Sequence, residues 1–286
     1  MAIVYALCCL ACAAVNDFIF KLLSSGGKTE EHKSCGPFVS IVGWIMVISY
    51  SIFRPPQAWD SGRTLLWGCI SGALSLISNV LVIESMRYQA AGVCSTIFRL
   101  NMVLVVLGAH FFLDEPLTGA LIVGIICAFC AILAFIPKGR RSSGDKAMLG
   151  FAMAVVACVL RACMSLSYKY AFSHGADENG VAMLTALFWA LGGIVITLAQ
   201  EHRIYNPSLR EWKIALTSGV FTTGIIIFMV RMNVCGNASV VNPIAQMSFL
   251  GTMLLSCVFL KEKLDFRKMA ALLLGCTAVL LLSLGV

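Results

Sequence analysis

Arg99 and Arg161 are the residues of this chain whose surroundings most demand a chemical reason. Arg99 interrupts the apolar run GVCSTIFRLNMVLVVLG (Gly92 to Gly108), and Arg161 interrupts AVVACVLRACMSLSYKY (Ala154 to Tyr170). A guanidinium in a hydrocarbon medium costs at least about 2.5 kcal/mol, so it must face a protein interior and find a partner there. Its planar fork makes two parallel hydrogen bonds with a carboxylate or phosphate. Two such forks in one compartment would grip an anionic group; the alternative is a buried ion pair that only locks helices together. Asp17, beside Asn16 in AAVNDFIFKLL, is the one carboxylate deep in the first apolar run. It either pairs with an arginine, carries a proton as a coupling group, or reaches out to the headgroups.

Further polar and aromatic residues stand in the middle of apolar runs. Asn79, Asn242 and Gln246 offer amides that either meet a solute or bridge helices. Trp44 and Trp189 lie away from the interfaces where tryptophan usually anchors, so each is either a packing residue or an aromatic cavity wall. Glu84, Lys21, Lys169 and Arg231 lie within about two turns of the run ends and read first as interfacial or snorkelled charges. Their placement has a pattern, with Glu84 and Lys21 near one face in the first half and Arg231 and Lys169 near the other face in the second. Alternating gates would be placed this way, and Glu84, like Asp17, is a candidate for coupling or ion pairing.

Catalytic machinery is not visible. The chain has no H-E-x-x-H, no G-x-S-x-G and no G-x-x-x-x-G-K-[ST], so neither an intramembrane hydrolase nor direct ATP drive is expected. Its 13 cysteines fall mostly in apolar runs without metal-like spacing, and act as small hydrophobic residues. The expectation is no enzyme, no cofactor and no metal.

These residues need elements that can hold them at depth. The chain has 286 residues, 59% hydrophobic and 12% charged, with a mean hydropathy of +0.90. That composition belongs to a membrane protein. The apolar residues form ten blocks, at 2–23, 36–53, 65–87, 90–112, 117–136, 147–173, 180–200, 212–234, 237–260 and 266–285. A helix of about 20 residues crosses a bilayer, so the reading is an all-α integral membrane protein with ten transmembrane helices. Arg99 is then about 14 Å from the start of its helix at 1.5 Å per residue. The other six of the seven prolines lie at helix ends or in loops, Pro37 at the start of its block, and Pro243 alone falls in a block's interior, where it predicts a kinked ninth helix. The first block lacks a basic start and reads as a spanning helix, not as a cleaved signal.

The net charge of +7 sits in loops and helix ends. The bilayer, not nucleic acid, is therefore the expected large partner. Alternating helices place fifteen Lys and Arg on one side and four on the other, which puts the richer side in the cytoplasm and both termini outside.

A shift of 147 residues lays FLDEPL (Phe112 to Leu117) on FLKEKL (Phe259 to Leu264). It also pairs Gly72 with Gly219, Glu84 with Arg231 and Arg99 with Gln246, while a shift of 148 pairs Lys21 with Lys169. The expected units are residues 1–137 and 147–286, joined by 138–146. Five helices per unit is an odd number, so the second copy is inverted, as in many secondary transporters.

Ten helices in two five-helix halves, each with a Phe-Leu-x-Glu-x-Leu turn between its fourth and fifth helices, resemble the drug/metabolite transporter superfamily, most closely its EamA-like members. The resemblance covers essentially the whole chain. It implies a central cavity between helices one, three, four, six, eight and nine, with helices five and ten peripheral. It also implies cytoplasmic termini, opposite to the charge count, and a proline in the fourth helix where this chain has Ser95-Thr96.

The expected function is alternating-access secondary transport of a small polar organic metabolite or drug, the metabolite carrying a carboxylate as an amino acid does. The plasma or inner membrane is the expected location, and protons are a candidate coupling ion. A phosphorylated-sugar or nucleotide-sugar exchanger is the alternative within transport, and a non-transporting scaffold or receptor the alternative outside it.

Overall fold

In hydrocarbon, backbone groups must be satisfied within the segment, and an apolar chain of this kind answers with helices. The computed structural model describes residues 1–25, 35–56, 61–113, 118–136, 142–201, 209–235, 244–262 and 265–284. Among them are eleven α-helices and no strand. They are α1 (Ala2–Ser25), α2 (Gly36–Phe53), α3 (Gly62–Tyr88), α4 (Ala91–Arg99), α5 (Asn101–Leu113), α6 (Gly119–Phe135), α7 (Ser142–Ser173), α8 (Glu178–Glu201), α9 (Leu209–Cys235), α10 (Ser248–Leu260) and α11 (Phe266–Leu284). Several starts are written in the sequence. The Ser61 side chain accepts from the Thr64 amide and the Thr118 side chain from the Leu121 amide, while Pro37 opens α2.

Among the described residues seven helical stretches are long and apolar enough to span, and three shorter apolar ones occupy 119–135, 244–260 and 268–282. Together they match the ten expected blocks. Two blocks need correction, because the fourth and ninth are not continuous helices. The fourth breaks at Leu100 into α4 and α5, and the ninth breaks at Met247, between a helical turn at 244–246 and α10. At the first break Asn101 Nδ2 donates to the Phe98 carbonyl at 2.6 Å. A side-chain amide thus competes with the backbone for that acceptor and tightens the turn. Pro243, the residue on which a kink was expected, lies outside the described residues.

The two halves interlock as an inverted repeat. Packing of α3 on α7 is matched by α1 on α9, and α3 on α8 by α9 on α2. The correspondence extends to single bonds: Ser78 Oγ donates to the Ala157 carbonyl at 2.8 Å. The repeat shifts carry that pair onto Ile225 and Cys9, and Cys9 Sγ donates to the Ile225 carbonyl at 3.7 Å. The pseudo-twofold axis passes where α2 crosses α8. There Gly43 meets Ala190, its own repeat mate, so closely that a Cβ on Gly43 would sit 2.2 Å from the Ala190 amide nitrogen. Helices α6 and α11 pack on each other with a small apolar cluster that includes Leu121, Ala128, Ala278 and Leu282.

Candidate functional site

Neighbouring residues on a helix point about 100° apart, so Asn16 and Asp17 of α1 address different partners. Asn16 Oδ1 accepts from the buried Ser218 hydroxyl of α9 at 2.6 Å and from Thr222 at 3.5 Å. That amide fastens α1 to the other half. Asp17, only 5% exposed, turns to α4. Its Oδ2 accepts the Ser95 hydroxyl at 2.6 Å and Arg99 Nη2 at 3.2 Å. Ser95 and Arg99 are four residues apart and therefore share one face of α4. Of the roles open to Asp17 in the sequence, the ion pair is the one observed.

Arg161 lies well inside α7 and keeps part of its surface accessible. Its guanidinium carbon stands 5.8 Å from the Phe98 ring centroid, one residue before Arg99. Among the described residues its Nη1 has only the Met164 sulfur as an acceptor, at 3.6 Å. Among the described residues no carboxylate lies within ion-pair distance of Arg161. Arg99, Tyr168, Asp17 and Tyr50 all lie within its electrostatic reach. Among the described residues the centre of the bundle thus holds two guanidiniums and one carboxylate, a net charge of +1.

Tyr168, on the same face of α7 seven residues after Arg161, is held in place. Thr185 donates its hydroxyl to the Val181 carbonyl at 2.9 Å, so in the 2.8 Å contact between Tyr168 and Thr185 the tyrosine is the donor. Ser95, Phe98, Tyr50 and Tyr168 are candidate site residues that the sequence reading passed over. For three of them the signal was present as helical spacing: Ser95 lies four before Arg99, Phe98 adjoins it, and Tyr168 lies seven after Arg161. Tyr50 carries no such mark.

The other expected site residues are dispersed. Trp189 and Asn79 come together around Ser75: Trp189 Nε1 donates to Ser75 Oγ at 3.0 Å, and Asn79 Nδ2 to the Ser75 carbonyl at 2.8 Å. Both are buried, and the polar contacts observed for them among the described residues are to Ser75. Trp44 is a correction. It is 43% exposed and shares an outer stripe of α2 with Ile48 and Ile52, so it faces away from the bundle interior. Glu84 is paired with Arg87 at 3.1 Å one turn along α3, away from the central charges. Gln246 sits at the ninth-helix break, and its buried Oε1 finds no donor among the described residues, nor does buried Arg99 Nε find an acceptor. Asn242 lies outside the described residues. Lys169 and Arg231 are exposed, whereas Lys21, expected at an interface, is drawn inward to a cluster at the far ends of α1 and α3.

The model of the EamA-like transporter family matches residues 1–136 and 148–284. No curated protein matches the chain. Among solved structures, the crystal structure of a protein 17% identical in sequence superimposes with a TM-score of 0.59, over 97% of this chain and 95% of its own. That likeness concerns the fold.

Proposed function

The chain belongs to the EamA-like transporter family and is a multi-pass integral membrane protein, and from that membership we propose that it is a secondary transporter of small monoanionic organic solutes, carboxylates above all. Transport proceeds by alternating access between the two inverted halves. The observation that carries the reading is Arg161, a guanidinium at mid-depth without a carboxylate partner among the described residues, beside an Asp17–Arg99 pair that is already neutral.

Charge selects the solute class. Arg99 and Arg161 against Asp17 leave one positive charge, which a single carboxylate compensates. A phosphate monoester would bring close to two negative charges into a low-dielectric centre that offers one, and uncompensated charge there is expensive. Phosphorylated solutes are therefore the weaker fit. Phe98 supplies an apolar surface next to the guanidinium, and the unpartnered Gln246 Oε1 and Arg99 Nε leave an acceptor and a donor for the polar remainder of a solute. The energy source is a solute or proton gradient.

The test is counterflow in proteoliposomes loaded in turn with unlabelled amino acids, monocarboxylates and sugar phosphates, with uptake of the labelled partner as the readout. Accelerated uptake with a monocarboxylate or amino acid supports the reading. Acceleration only by phosphorylated solutes replaces the substrate class, and no counterflow with any solute points to a scaffold or receptor.

A further inference from the structure

Lys21 and Glu262 tie the two halves together at one face of the bundle. Lys21, near the end of α1, donates to the Met86 carbonyl at 2.6 Å and to the Gln89 carbonyl at 2.8 Å, the free acceptors at the end of α3. Its ammonium also stands 3.6 Å from Glu262 Oε1, just beyond α10. That same oxygen accepts the Ala91 amide at 3.3 Å, at the start of α4, where a negative charge is favoured by the helix dipole. One ammonium and one carboxylate therefore gather the ends of α1 and α3, the start of α4 and the end of α10.

The side chains are 13% and 18% exposed, so the pair is screened less than a surface ion pair. Around it α1, α3 and α4 pack on one another. The repeat-equivalent pair of α1 and α3, namely α7 and α9, makes no comparable packing among the described residues. The halves are thus unequal in the way alternating access requires, drawn together at the Lys21 face.

We propose that Lys21 and Glu262 form a gate, a latch between the halves that keeps this face closed in the present conformation and must release in every transport cycle. The proposal rests on the alternating-access reading above. Release would part α10 from the α1, α3 and α4 ends and let water reach the residues just behind the latch. Breaking it costs two partly desolvated charges, which is affordable once per cycle only if hydration of the opened face offsets that loss. Glu84 and Arg87, nearby on α3, pair with each other within one helix at 3.1 Å.

A native thiol reports on the latch. Cys94 is fully buried one turn along α4 from Ala91, against Ser85 and within reach of both latch charges. Cys158 is likewise buried, on α7 beside Ala157, which meets Ser78 about two turns along α3 from the Met86 carbonyl that holds Lys21, and it serves as the control. The full-length protein in lipid nanodiscs is treated with a water-soluble maleimide, and modification of each cysteine is followed by peptide mass spectrometry. In Glu262→Gln and Lys21→Met, Cys94 should react about tenfold faster than in the wild type while Cys158 keeps its rate. An unchanged Cys94 rate in both variants overturns the gate, and so does parallel acceleration of Cys94 and Cys158, which marks a loosened fold. Wild-type counterflow in proteoliposomes keeps the two readings apart. A protein that moves solute but shows no change at Cys94 loses the gate alone, whereas one that moves no solute loses the transport reading.

Discussion

Leu100 and Met247 bend the chain in the same way at equivalent places in the two halves, with φ −71°, ψ 3° at the first and φ −73°, ψ 10° at the second. Each is framed by tightened i to i+3 bonds: Leu100 and Val103 donate to Ile97 and Leu100, and Met247 and Leu250 donate to Ile244 and Met247. Each follows directly on a deep polar side chain, Arg99 or Gln246. On the proposed alternating-access reading, two halves that exchange shapes need a bend available at the same register in both, and broken helices at mid-membrane would serve that purpose.

Asn101→Leu tests the first bend. Removing the hydrogen bond to the Phe98 carbonyl should return that acceptor to the backbone ladder and straighten the fourth span. Stability should change by no more than about 1 kcal/mol, while counterflow falls sharply. Thermal unfolding and counterflow measured on the same preparation check both halves of this expectation, and full activity would remove the hinge role.

Arg161→Gln should abolish anion counterflow while leaving the melting temperature unchanged or raised, because an unpaired guanidinium contributes a desolvation cost to the folded state. Arg161→Lys keeps the charge and loses the fork, so it should retain only partial activity. A marked fall in melting temperature for Arg161→Gln would instead make Arg161 a structural residue.

Asp17→Asn strands Arg99 and raises the central charge from +1 to +2. Breaking a buried pair from one side costs about 3–5 kcal/mol, which a denaturation series should show. The surviving protein should shift its preference toward dianionic solutes in competition counterflow. An unaltered preference would separate Asp17 from solute selection.

Gly43→Val should fail at the axis, since its new Cβ would run into the Ala190 backbone and a backbone cannot move aside cheaply. Overpacking of this kind costs about 1–3 kcal/mol or more. Gly62→Ala, at the start of α3 with open space around the added Cβ, is the contrasting case and should be neutral or stabilising by about 0.5–1 kcal/mol. Thermal stability of the two variants in detergent compares them directly.

Trp44→Leu should leave both counterflow and melting temperature close to wild type, because the side chain lies on the outer stripe of α2. A large loss of counterflow would return Trp44 to the cavity wall.

The architecture was legible because it rests on one-dimensional signals. Ten apolar blocks and a matching Phe-Leu-x-Glu-x-Leu turn fall directly out of residue order, and in hydrocarbon such blocks have little choice but to be helices. The breaks at Leu100 and Met247 were less visible. Pro243 drew attention to the ninth helix, but the fourth bends without a proline, through an asparagine that a count of apolar residues passes over. The deep charges at Arg99, Arg161 and Asp17 were legible for the same reason as the blocks, since each contrasts with its neighbours.

What the sequence determined by itself was therefore the number of spans, their inverted pairing and the presence of expensive charges at depth. Which charge meets which was decided only by tertiary structure. Asp17 and Arg99 are 82 positions apart, and only the packing of α1 on α4 turns three isolated charges into one neutral pair and one guanidinium in want of an anion. The same holds for Trp44 and Trp189, alike as mid-span tryptophans and opposite in fate, because the rotation of a helix about its axis is set by the neighbours it packs against and is not written in the depth of a residue along it.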